Sequence, residues 1–414
     1  MSEDGPTGND PFGEMPFFGE LFKMFSAASG QSAGGARQLA MQIASDGASE
    51  PNVDPAERIA LEQLARVAEL QVQNASGLAV ARSGTFEIEA VNRAGWVDGA
   101  MATYEPYIEK LAGSLGNPAG MGGLDAGDPE AAMFAGLFQM LGPMMMTLAS
   151  GSMIGQLARR SLGSYDLPVP RHTDKLQVVM PNLNEFGEDW SLPVDDLRMW
   201  VCLNEAAHHA VLGIPHIGDR IHDLLCEHAN AFETDPSAFE EQLGGLNFTG
   251  SPQDLAEIQN LLGSPDAVLG AVQSDAQRAV LPQLAAVVAV AEGYVDHLMD
   301  SVGAQLIESY SMLSEALRRR RVEADASDRF VEKILGLELT QEQYDRGSAF
   351  VEGVIERGGA EALGPLWSDG RALPTPNEVD APGLWLARIE LPEFGDPDAA
   401  DPNAEEPDPG EPAE

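Results

Sequence analysis

The chain has 414 residues, 44% hydrophobic and 22% charged, the balance of a folded protein large enough to bury a sizeable core. Its formal net charge of −42 argues against nucleic acid or an anionic membrane surface as a partner, because both are bound through clustered Lys and Arg. The only two cysteines, Cys202 and Cys226, lie in apolar helical patterns and read as reduced core thiols. The start MSEDGPTGNDPFG has no basic-then-apolar leader, so the expected location is cytoplasmic.

Residues 1–35 are rich in Gly, Ser, Pro, Asp and Glu and predict disorder around one apolar island, Met15 to Phe25, suited to docking as a short helix. Residues 36–165 read as the helical first part of the domain. Asp54 is placed to cap a helix with Pro55 at its first position, and Ile59, Leu61, Leu64, Val67 and Leu70 recur at helical spacing. NRAGWVDGAMATYEPYIEKLAGSLG predicts a second helix, and residues 117–128 a glycine-rich loop. Residues 131–158 carry no charge and are long enough to span a bilayer. Gly142-Pro143 and the shortage of Leu, Ile and Val favour two buried helices over a transmembrane segment.

Residues 166–390 form the second part. LQVVM (Leu176 to Met180), bounded by prolines and turn formers, predicts a strand. The next helix has Ser191 near its cap, Asp195 and Asp196 in its first turn, and Gly213 as a C′ stop. Further helices are expected at residues 217–232, 235–243, 253–262 and 276–298, with His222 and His228 as exposed or capping residues. The run Arg318 to Arg321 reads as solvated or as neutralising a helix C-terminus, with a fold-back of the acidic tail as the sharper alternative. Residues 391–414, acidic and proline-rich, predict a disordered tail. The expected fold class is mainly α with minor β.

One stretch carries chemistry. VCLNEAAHHAVLG holds Asn204-Glu205-Ala206-Ala207-His208, the zinc motif H-E-x-x-H with asparagine in place of the first histidine. In the intact motif the i and i+4 histidines present two imidazoles to one zinc, and the glutamate serves the metal-bound water as general base. A third ligand must come from elsewhere. AVAEGYVDHLMDSVG offers Glu292 as that ligand and Asp296, one turn on, as a partner for the far nitrogen of a ligating histidine. Gly30 to Gly34 matches G-x-S-x-G, but no strand precedes it, so a serine nucleophile is set aside.

DPFGEMPFFGELFKMF, LGSYDLPVP, MPNLNEFGEDWSLPVDDLRMWVCLNEAAHH, AEGYVDHLMDSVG, QEQYDRGSAFVEGVIERGG and LPTPNEVDAPGLWLAR together resemble a bacterial zincin-like hydrolase family. That family is zinc-dependent metallopeptidase-like, and some of its relatives are described as associated with deazaflavin-cofactor biosynthesis. The resemblance implies a mainly α zincin-like domain, a zinc ligand at His208, a general base at Glu205 and a third ligand at Glu292. Asn204 departs from the pattern at the first-ligand position, and an amide oxygen replaces imidazole poorly at zinc. Two functions are therefore expected to compete. One is a zincin-fold hydrolase impaired at Asn204. The other is a non-catalytic scaffold that binds a protein or peptide.

Overall fold

The computed structural model describes residues 32–115, 147, 149–234, 271–272, 274–322, 326–337 and 339–390. The predicted island at Met15 to Phe25, the glycine-rich loop, the helices at 235–243 and 253–262 and the acidic tail lie outside the described residues. So does most of 131–158, of which residues 147 and 149–158 are described and helical.

The elements run α1 (Ser32–Ala44), α2 (Pro55–Ser76), β1 (Glu87–Val91), α3 (Arg93–Leu115), α4 (149–160), β2 (Lys175–Val179), α5 (Met180–Asp189), α6 (Val194–Leu212) and α7 (Pro215–Asn230). A two-residue pair, β3 (Glu233–Thr234) and β4 (Ala271–Val272), follows, then α8 (Asp275–Leu306), α9 (Tyr310–Val322), α10 (Ala326–Leu335) and α11 (Gln341–Gly358). Short helices α12 (Gly364–Ser368), α13 (Pro376–Val379) and α14 (Pro382–Glu390) close the described chain. The fold is mainly α, as the sequence predicts.

Helix α2 starts where expected, with Asp54 accepting the Ala56 amide at 2.8 Å. Its buried face differs from the predicted stripe. Leu61, Ala65, Ala68 and Val72 point inward, while Ile59, Val67 and Leu70 are exposed. Small residues on that face let α2 approach α6 closely, which large ones would prevent.

The predicted strand forms, but its partner β1 lies inside a region read as wholly helical. The two pair in parallel, Glu87 opposite Lys175 and Val91 opposite Val179. Residues on either side of position 165 are thereby joined. The segment at Gly163 adds an antiparallel bridge to Val178, and the Val179 amide donates to Leu162 O at 2.9 Å. Backbone amides of residues 162–165 are thus laid along the sheet beside α6.

Helix α6 begins after Pro193 rather than near Ser191, which adopts a positive φ of 53°. It ends at Gly213, whose φ of −73° is right-handed, so this glycine is not a left-handed C′ stop. Nearly all of α6 from Trp200 to Leu212 is buried. It packs on α2, α7 and α8.

Helix α8 is central. Ser274 and Gln277 close a capping box at its start. By length and composition alone α8 could cross a membrane, yet 61% of its apolar window is buried inside the protein, as suits a core helix. Its closest crossing is with α11, where a Cβ on Gly293 would come within 2.2 Å of the Gly347 carbonyl carbon. Glycine at both positions brings the two backbones together and fixes the height of Glu292, one residue earlier.

Candidate functional site

Asn204, Glu205 and His208 all lie on the buried face of α6, and Glu292 faces them from α8. The four line one small cavity of about 50 Å³ together with Arg321 of α9 and Tyr344 of α11. That volume has room for a few waters.

His208 Nε2 lies 3.0 Å from Glu292 Oε1, and both side chains are at most 5% exposed. His208 Nδ1 lies 2.9 Å from the Asn204 carbonyl oxygen, one turn back. Both ring nitrogens face acceptors, so both must donate, and the ring is an imidazolium. Burial opposes this charge. Glu292 outweighs it and raises the His208 pKa, while His208 and, less strongly, Arg321 hold Glu292 below the usual carboxylate value against burial. Tyr165 stacks on the His208 ring at 5.6 Å and 14°, a favourable face for a cation.

Glu205 points elsewhere. Its two oxygens accept the Ser164 and Tyr165 amides, each at 3.0 Å. Burial nonetheless pushes its pKa up to about 7, against the Tyr165 amide and His208. Gly163 makes the approach feasible, since a Cβ there would meet Glu205 Oε1 at 2.2 Å. Nothing in the local sequence near Glu205 announces these amides, which come from a segment about forty residues earlier.

Asp296 sits near the cluster but serves another group. It binds Arg321 at 3.2 Å, and Arg321 stacks on Tyr344 at 4.8 Å. Arg320 reaches Asp166 at 2.9 Å and also the Arg160 carbonyl oxygen. The basic run is therefore not simply solvated: Arg320 and Arg321 turn inward. The sequence reading missed this inward turn.

Four of the other histidines are committed too. His209 Nδ1 lies 2.8 Å from Tyr165 Oη, and Nε2 lies 3.1 Å from Asp174 Oδ1. His216 Nε2 donates to Leu366 O at 2.9 Å. His228 is buried rather than exposed, and His222 is half-buried against Tyr107.

These donors do not fit a catalytic zinc. Asn204 offers an amide oxygen, and that atom is buried without a partner. Of the other carboxylates lining the cavity, Glu205 is held by backbone amides and Asp166 by Arg320, while Glu332 lines it as well. No group of three or more His, Cys, Asp or Glu that could hold a metal occurs among the described residues. The nearby Arg321 guanidinium further disfavours a second cation.

The sequence profile of the zincin-like metallopeptidase family matches residues 34–386. The chain belongs to that family. Among solved structures it is similar to one described as a putative hydrolase with a novel fold from Chloroflexus aurantiacus, at 21% identity and a TM-score of 0.55. The match covers 86% of this chain and 98% of that one, and at such identity it speaks for the fold alone. No curated protein matches. Family membership implies zinc binding in members of the family, whereas no group that could hold a metal occurs among the described residues of this chain.

Proposed function

We propose that this zincin-fold protein has lost the family's zinc-dependent hydrolysis and acts by binding another protein or peptide. Asn204 carries the reading. It removes the first imidazole, and the neighbouring Glu205 and Asp166 are held by backbone amides and by Arg320. The remaining pair, His208 and Glu292, satisfies itself as a buried ion pair and stabilises the α6–α8 contact instead of holding a metal.

A second reading, that of a hydrolase working with a substitute ligand set, draws on two observations. The Asn204 amide oxygen is unpaired, and Glu205 with its pKa near 7 is suited to general-base work at neutral pH. Zinc per chain in the wild type, His208→Gln, Asn204→His and the double variant separates the two. The proposal expects His208→Gln to leave the wild-type zinc content unchanged. It also expects Asn204→His to add zinc that the double variant loses. Wild-type zinc that disappears with His208→Gln overturns it.

A further inference from the structure

His228 sits where α7, α8 and α10 meet. Its ring, in the last turn of α7, is 1% exposed. It packs against Gly336, just past α10, where a Cβ would come within 2.9 Å of the ring's Cγ. Phe232 closes another side edge-on, 5.9 Å between ring centroids. Gln277 of α8 donates to the His228 carbonyl oxygen at 3.4 Å. His228 Nε2 is left to donate to the Lys333 carbonyl oxygen of α10, also at 3.4 Å. Nδ1 is buried with no partner.

A neutral ring tolerates this arrangement, because Nδ1 then carries only a lone pair. A second proton would place a buried N–H against no acceptor. His208, with an acceptor on each nitrogen, is the opposite case. Burial holds the His228 pKa below its ordinary value, and the Lys333 carbonyl opposes it. No charged side chain compensates a proton here. Gln277 is neutral, Glu227 and Lys333 are exposed, and Glu332 lines the α6 cavity.

Water can reach the charged ring only if the segment covering it moves. Gly336 is left-handed, with φ 70°, and ends α10 by donating to Lys333 O at 3.1 Å, while the Leu337 amide donates to Glu332 O at 2.7 Å. Helix α10 packs on α7, and its buried anchors among the described side chains are Val331, Ile334 and Leu335. So few apolar contacts make local opening cheap. Glu332 of this helix and Leu339 just beyond it form one wall of the α6 cavity.

We infer that α10 is a gate on the α6 cavity, latched by the neutral His228 ring against Gly336 and released when that ring takes a proton. The folded ring resists its proton, so the latch is complete above pH 6.5 and is lost as pH falls towards the lower folded value.

Hydrogen exchange of residues 331–337 in the full chain, corrected for its intrinsic pH dependence, tests this. Below pH 6.5 the opening equilibrium should rise about tenfold per pH unit, one proton being taken up on opening. His228→Leu, which cannot take that proton, should show no such rise. Wild-type exchange that ignores pH, or the same acid response in His228→Leu, overturns the inference. If the variant fails to fold, the wild type decides by segment. Residues 331–337 should lose protection in acid while Leu224 and Leu225 of α7 keep theirs, and loss in both together overturns the latch. Acrylamide quenching of Trp200, taken as the difference between wild type and Trp200→Phe, should rise over the same pH range, because Trp200 lines the cavity. Unchanged quenching overturns the gate.

Discussion

His208 and His209 are neighbours in sequence, both are buried, and both touch a carboxylate, yet they are held in opposite charge states. Two acceptors flank His208, so it carries two protons and its pKa rises. His209 faces Asp174 on one side and the Tyr165 hydroxyl on the other. That hydroxyl can donate, so a neutral ring satisfies both contacts. Burial first, then Arg82 and Arg171, lower the His209 pKa against Asp174. A nearby carboxylate therefore does not decide a histidine's charge. The partner on its second nitrogen and the surrounding guanidiniums do.

The largest break in this comparison comes from Glu292→Ala. It strands a buried imidazolium and should destabilise the fold by about 3–5 kcal/mol in denaturant unfolding. Much of that loss should be recovered when His208→Leu is added, because the charge then goes with its partner. Gly163→Ala tests the neighbouring cradle. Its Cβ would collide with the Glu205 carboxylate, so a loss of about 1–3 kcal/mol is expected, with partial rescue by Glu205→Ala. Smaller still, Tyr165→Phe removes the donor to His209 Nδ1 and should cost about 1 kcal/mol.

Stability against pH sharpens the same contrast. The raised pKa of His208 contributes stability that is complete below its ordinary 6.5 and lost as pH rises through the higher folded value. The lowered pKa of His209 contributes stability that is present above 6.5 and lost as pH falls through the lower folded value. Glu292, also lowered, loses its contribution as pH falls below its ordinary 4.5. Glu205 opposes it, because its relative stability drains away as pH rises from 4.5 through about 7. His208→Gln should flatten the loss above 6.5, and His209→Gln the loss below it. Two variants with the same pH profile would contradict the assigned charge states.

Much of the cluster was legible in sequence because helical spacing is local. Asn204 and His208 share a face by arithmetic, being four residues apart on α6. Glu292 lies 84 positions from His208, and its place four residues before Asp296 on a later helix, rather than the length of that gap, pointed to it. What stayed hidden depends on long-range packing. The amides that bind Glu205 come from residues 164 and 165, side-chain-independent groups that leave no trace in composition. Asp296 matched a familiar pattern, yet Arg321 claims it. Strand β1 is only five residues long and sits between helices, too short for its alternation to stand out. On α2 the large apolar residues outvoted the alanines in the pattern, although Ala65 and Ala68 share the buried face with Leu61 and Val72.

The central claim is that His208 is a buried imidazolium paired with Glu292 and not a metal ligand. Its pH titration by NMR of ring-labelled histidine, with and without zinc, tests that most directly. The expected midpoint lies above 6.5, falls in Glu292→Gln and does not change on adding zinc. A midpoint below 6.5, or a His208 titration that zinc abolishes, would contradict it.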